Sequence, residues 1–217
     1  MLIDGIVLGD HSIVVALGID TEGKKQMLGL REDHTEHSHV VKALLRDLVE
    51  RGLDQETGAT LRGRRREGAH LGHPHGVGTL GAIQRCQLHK RRNILGHLPD
   101  HLHANVTAVL REAWAAASVR EGFADTLTLQ RFGIAGVLYT KLRTTNAIEN
   151  FNGTITTYSR NLKRWRSGTM VVCWVSAAIV EEEKKFRGVH GWPDITKVVS
   201  ALGHLEAKEG ASTERVA

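Results

Sequence analysis

Two short runs open the chain: residues 2–8 (LIDGIVL) and 12–19 (SIVVALGI), both rich in Ile and Val and separated only by Gly9-Asp10-His11. β-Branched residues stiffen χ1 and pack well on a pleated surface, and so polar a tip between two such runs predicts an antiparallel hairpin. Gln26–Leu30, after a turn centred on Gly23, predicts a third strand. Val41, Leu44, Leu45 and Leu48 then recur at i, i+3, i+4 and i+7, an amphipathic helix that stops at Arg51-Gly52. Three antiparallel strands followed by a helix commit the chain to an α+β fold.

Residues 58–81, GATLRGRRREGAHLGHPHGVGTLG, break this pattern. Seven of the 24 residues are Gly, four are Arg and three are His, and no apolar residue recurs at helical or strand spacing. Order resumes at Ala82, where AIQRC predicts a short strand leading into a helix over QLHKRRNILGHL that ends before Pro99. Helical faces follow at Val106, Val109, Leu110, Ala113 and Trp114, then through REGFADTLTLQRFG. Further helices are predicted over 145–163 (Ile148, Phe151, Ile155, Tyr158, Leu162) and over 169–187 (Val172, Val175, Ile179, Phe186). The polar tail after about residue 203 is expected to fray.

Hydrophobic content of 41% and charged content of 24% are those of a soluble globular domain. No apolar run reaches the ~18 residues of a membrane span, and Asp4 interrupts the first apolar stretch, against a signal peptide. Two cysteines make no disulfide framework, so the chain is read as cytoplasmic. A net charge of +5 makes a polyanion a reasonable partner, and the charge is clustered. His89-Lys90-Arg91-Arg92 is one cluster; Lys163-Arg164-Trp165-Arg166 is the other and sets an indole between cations. Such runs also describe a solvated helix face.

Asp4 is a carboxylate in an apolar strand, read either as a strand-end turn residue or as a rigidly held oxygen ligand for Mg²⁺ or Mn²⁺. Glu149 follows Asn146 by three, which fits a capping box, or it is a catalytic carboxylate in the first turn of a helix. The asparagines at 146, 150 and 152 are poor helix formers and point to a helix chosen for polar contacts. Cys86-x-x-His89 is half of a zinc ligand set with no second pair in view, since Cys173 is alone. His34, His37 and His39 are a further histidine cluster without a carboxylate partner.

Taken together, "LIDG…VVALGIDTEGKKQMLGLRE", "QRCQLHKRRN", "LTLQRFGI" and "TTNAIENFNGTI…NLKRWRSG" resemble the mutator-type family of bacterial insertion-sequence transposases, over residues 1–57 and 82–200. The resemblance implies an RNase H-like mixed sheet flanked by helices and an Asp, Asp, Glu (DDE) catalytic set. It makes Asp4 the first aspartate and Glu149, in Asn-Ala-Ile-Glu, the glutamate; Cys86-x-x-His89 matches a motif the family carries between the second Asp and the Glu. It further implies Mg²⁺ or Mn²⁺, held by Asp4 and Glu149, DNA as partner, and a homo-oligomer. Lys90, Arg91, Arg92, Lys163, Arg164, Trp165 and Arg166 would contact DNA.

The family's second aspartate belongs before QRCQLH, in a motif like Asp-Gly-x-Lys-Ala, yet no aspartate occurs between Asp54 and Asp100. Arg64-Arg65-Arg66-Glu67-Gly68 can be encoded as CGT-CGA-CGG-GAA-GGC, which moved by one nucleotide reads Val-Asp-Gly-Lys-Ala. Residues from about 55 to 81 are therefore read as out of frame, with the lost aspartate expected near Arg65 and the frame restored near Ala82. A natural basic loop is the alternative. The resemblance also implies a missing N-terminal region for reading the element ends and deleted helical sequence near 118–119.

The expectation is one catalytic domain over 1–203 with a disrupted central segment, a helical C-terminal half and a tail over 204–217. Its function is that of a transposase, inactive for want of the second Asp. The alternatives are a DNA-binding or oligomerising remnant that interferes with full-length transposase, and a small zinc module built on Cys86, His89 and the 34–39 histidines.

Overall fold

The computed structural model describes residues 1–33, 38–53, 60–62, 82–116 and 124–202. Strands β1 (Leu2–Leu8), β2 (His11–Ile19) and β3 (Lys25–Asp33) form the antiparallel meander that the Ile/Val runs dictate. Leu8 pairs with His11, so the hairpin tip is the two-residue loop Gly9-Asp10 and His11 belongs to the strand. Gly9 has φ +62°, the left-handed conformation that so short a turn needs. Helix α1 (Ser38–Glu50) follows.

Segment 58–81 is not without structure throughout: β4 (Thr60–Arg62) runs parallel to β1, with Leu2 opposite Leu61 and Ile3 opposite Arg62. β5 (Ile83–Arg85) runs parallel to β4. The order β3-β2-β1-β4-β5 makes one continuous sheet, to which three residues of the segment expected to be disrupted contribute β4. Backbone pairing carries β4, which is why three residues without alternation escape a reading based on side-chain period. The position near Arg65, most of 55–81, residues 118–119 and the tail over 204–217 lie outside the described residues.

Strand parity divides the core. Leu2, Ile6 and Leu8 of β1 and Ile13, Val15 and Leu17 of β2 face one side; Ile3, Val14 and Ala16 face the other. The second face is covered by Val40, Leu44, Leu45 and Leu48 of α1. The first is covered by α6 (Asn146–Ser159) through Ile148, Phe151 and Ile155, and by α7 (Gly168–Glu183) through Val171, Val175, Ala178 and Ile179. Both faces being covered explains why seven consecutive residues of β2 are buried.

Among the described residues the C-terminal half is helical. It comprises α2 (Gln87–Leu95), α3 (His103–Ala115), α4 (Thr128–Arg131), α5 (Gly136–Leu142), α6, α7 and helical turns over 195–202. A third apolar cluster unites Leu129, Ile134, Leu138, Val189, Ile195, Val198 and Leu202. Two expected faces differ: Val109 is 64% exposed, and Tyr158 is exposed, its hydroxyl accepting from Lys185 Nζ at 2.6 Å. No helix among the described residues is long and apolar enough to cross a membrane.

Candidate functional site

Asp4 pairs with Val15 across the hairpin and shares the parity of Leu2 and Ile6, so its carboxylate is turned toward α6. It is 8% exposed, and Asn152 Nδ2 donates to its Oδ2 at 2.9 Å. Asn152 lies on the inward face of α6, one residue beyond Phe151 and three before Ile155. The polar contact expected of the asparagine cluster is therefore made by one member; Asn146 and Asn150 are exposed.

Glu149 is one turn before Asn152, in the first turn of α6. The expected capping box is not formed. Thr145, not Asn146, is the N-cap, and its hydroxyl donates to Glu149 Oε1 while its carbonyl accepts from Ile148 and Glu149 N–H groups. A carboxylate there also gains from the positive end of the helix dipole. Asp4, Glu149 and Asn152 line one cleft of about 430 Å³ together with His89, Arg92 and Thr156.

Behind Glu149 stands the Cys86–His89 pair. β5 ends at Arg85, Cys86 is the extended N-cap of α2, and His89 follows one turn on, so both point the same way. Cys86, His89 and Glu149 bring a sulfur, a ring nitrogen and a carboxylate oxygen within 4.8 Å of one another. Thr145 Oγ1 lies 3.4 Å from Cys86 Sγ and 3.4 Å from His89 Nδ1, and His89 Nε2 is 3.7 Å from Glu149 Oε1. Burial pushes the Cys86 thiol up, but hydrogen bonding to His89 and Thr145 outweighs it and leaves the thiol below its ordinary value. His89 is held above its usual value, chiefly by its hydrogen bond to Cys86. Burial opposes this, and the negative charges of Cys86, Glu149 and Asp4 reinforce it.

Sequence reasoning missed the residues that hold this arrangement. Gln84 and Gln87 are 2% and 3% exposed and pin the β5–α2 junction to the 124–142 region. Gln84 Nε2 and Gln87 Nε2 both donate to the Thr126 carbonyl, at 2.9 and 3.0 Å, and Gln84 Oε1 accepts from Leu129 N–H at 3.0 Å. Two glutamines flanking Arg-Cys in a motif of this polarity were the available signal. Thr145 gave none, because a threonine before a helix is unremarkable.

The basic residues divide. Arg92 is exposed on the cleft, whereas Lys90 and Arg91 are half-buried. Lys163, Arg164 and Arg166 are exposed, but Trp165 packs its ring on the core cluster and over the Gly9 turn. Cys173 is exposed, His39 is exposed in the first turn of α1, and His34 and His37 lie outside the described residues.

Compared with known proteins, the chain resembles the transposase for insertion sequence element IST2 of Acidithiobacillus ferrooxidans, with 34% identity over 107 residues. That stretch is 49% of this chain and 35% of the relative. It also resembles the transposase for insertion sequence element IS6120 of Mycolicibacterium smegmatis, with 28% identity over 110 residues, 49% of this chain and 32% of the relative. The matched stretch thus spans about a third of the length of these curated relatives. The sequence profile of the Mutator family of transposases matches residues 3–142, which hold Asp4, Cys86 and His89 and stop short of Glu149. That match covers well over half of the 217 residues, and the chain belongs to the Mutator family of transposases.

Proposed function

We propose that the chain is the DDE-type catalytic domain of an insertion-sequence transposase on an RNase H-like fold, acting in the cytoplasm, and that it is catalytically defective. Its chemistry is DNA cleavage and strand transfer by metal-dependent phosphoryl transfer. The observation that carries this reading is the convergence of Asp4, from the first strand, and Glu149, from α6, on one cleft. A sheet of three antiparallel strands extended by two parallel ones, with helices on both faces, supports the fold assignment.

The cleft's donor set suits a hard dication. Asp4 and Glu149 offer carboxylate oxygens, and Asn152 Oδ1 is buried without a hydrogen-bond partner among the described residues while its Nδ2 serves Asp4. When bound, Mg²⁺ or Mn²⁺ supplies activation of the attacking hydroxyl and neutralisation of the leaving oxygen in an in-line displacement. Asn152 fixes the Asp4 carboxylate, Thr145 fixes that of Glu149, and Arg92 on the cleft provides a cation for a phosphate. Lys163, Arg164 and Arg166 extend the positive surface for the DNA backbone, and a homo-oligomer would bring two such domains to paired ends.

What supports the defect is that no aspartate occurs between Asp54 and Asp100, where the family resemblance expects the second member. Losing one of a cooperating catalytic group costs on the order of 10³-fold or more. The test is nicking and strand transfer on DNA with Mn²⁺, using the chain as it is and a version in which Arg64–Gly68 is replaced by Val-Asp-Gly-Lys-Ala. The unaltered chain should be silent. The replacement should restore activity that Asp4→Asn or Glu149→Gln then removes. Activity of the unaltered chain would refute the defect; restored activity indifferent to Asp4 and Glu149 would refute the site. A second reading, a remnant that binds full-length transposase without catalysis, draws on Trp174, which is 45% exposed on α7. Inhibition of an active full-length enzyme by this chain, lost in Trp174→Ser, would favour it.

A further inference from the structure

We propose that Cys86, His89 and Glu149 form a binding site for a single thiophilic divalent cation, with Zn²⁺ as its probe, and that this site shares Glu149 with the carboxylate cleft. The three donors come from the end of β5, from α2 and from α6, so tertiary structure and not a local sequence repeat assembles them. Their chemistry is selective. Thiolate and imidazole suit zinc and are poor ligands for Mg²⁺, which takes oxygens.

The geometry needs little adjustment. Zn–S of about 2.3 Å and Zn–N or Zn–O of about 2.0–2.2 Å place tetrahedral donors roughly 3.3–3.8 Å apart. His89 Nε2 and Glu149 Oε1 are already 3.7 Å apart, and all three donor atoms lie within 4.8 Å. The remaining ~1 Å of closure, set by those same tetrahedral distances, falls within a rotation of the Glu149 side chain, which is 28% exposed. Thr145, whose hydroxyl lies against Cys86 Sγ, His89 Nδ1 and Glu149 Oε1, is the outer residue that orients the three side chains. Three protein ligands leave a fourth position on the cleft side, where His89 and Glu149 line the wall, so the cation exchanges instead of being sealed in.

Sharing one carboxylate has a consequence. A cation held by Cys86, His89 and Glu149 draws Glu149 away from Asp4, so Zn²⁺ and Mn²⁺ oppose each other. This consequence rests on the proposed catalytic cleft; the zinc site itself does not.

The test is metal binding to the full, chelator-stripped chain. One equivalent of Zn²⁺ should bind, and Co²⁺ in its place should show a thiolate-to-metal charge-transfer band. Cys86→Ser should abolish the band and weaken zinc at least about tenfold, and His89→Gln should weaken zinc likewise. Cys173→Ser, at an exposed position away from the cluster, should leave both intact. Far-UV circular dichroism of each metal-free variant separates loss of the site from loss of the fold. Asp4→Asn should keep zinc and lose Mn²⁺. Zinc bound with no Mn²⁺ site would sink the catalytic reading and leave this one standing. No stoichiometric zinc in the folded chain would overturn the inference. So would zinc that survives Cys86→Ser or depends on His37 instead.

Discussion

Asn152→Ala isolates the hydrogen bond from Asn152 of α6 to Asp4. Asn152 Nδ2 donates to Asp4 Oδ2 at 2.9 Å, and both residues are 8% exposed, so water is poorly placed to substitute. A hydrogen bond to a charged partner contributes about 1.5–3 kcal/mol, and its loss here leaves a buried carboxylate short of a donor. Urea unfolding at pH 7, followed by far-UV circular dichroism, should therefore show Asn152→Ala less stable by about 1.5–3 kcal/mol with an unchanged slope. Asn152→Asp should be worse. Two carboxylates 4 Å apart repel by about 4 kcal/mol at an effective dielectric of 20, before the side chains relax. The same variant adds an oxygen ligand to the cleft, so Mn²⁺ at ~100 times its dissociation constant should return about 2.7 kcal/mol. A loss under about 0.5 kcal/mol in Asn152→Ala, well below the cost of a charged hydrogen bond, would refute the buried bond. Asn152→Asp indifferent to Mn²⁺ would refute the cleft as a cation site.

Three further outcomes follow from the packing and the titrating pair. Ile155 is fully buried between sheet and helices, so Ile155→Ala should cost about 2–5 kcal/mol, read from the same unfolding curves. Gly23 has φ +76°, and a Cβ there would run into the Trp192 side chain while its carbonyl accepts from Val189 N–H. Gly23→Ala should therefore lower the melting temperature by several degrees, about 1–3 kcal/mol from backbone strain alone, and should loosen the 189–202 region in hydrogen exchange. His89 is raised above its ordinary value, so the folded state binds more protons than the unfolded chain just above that value. Stability contributed by His89 is present below about pH 6.5 and is lost as the pH climbs through its folded value. Imidazole titration by NMR should show this elevation, and Cys86→Ser should shrink it, since the Cys86 contact is the largest cause.

The hairpin, α1 and the positions of α6 and α7 were legible because apolar period reports burial directly. Asp4 was legible too, as a carboxylate in an apolar strand, and strand parity decides which helix it meets: a one-residue slip would turn it to α1 instead. What stayed hidden was pairwise. Thr145 in place of Asn146 as the cap of α6 turns on φ and ψ at one residue, and Val109 and Tyr158 are apolar by type yet face out. Cys86 and His89 announced a ligand pair without their third partner, because Glu149 arrives from a helix some 60 positions later.

β4 is the sharpest case. Thr60–Arg62 holds its place by backbone hydrogen bonds to β1 and β5, a role indifferent to side-chain identity, so a strand can form where the sequence shows no apolar period. A catalytic carboxylate has no such tolerance. The cleft asks for carboxylates at fixed places, Asp4 on β1 and Glu149 on α6. Main-chain pairing adds β4 to a sheet whose two faces are packed by apolar side chains, whereas the cleft depends on the identity of single residues, Asp4, Glu149 and Asn152.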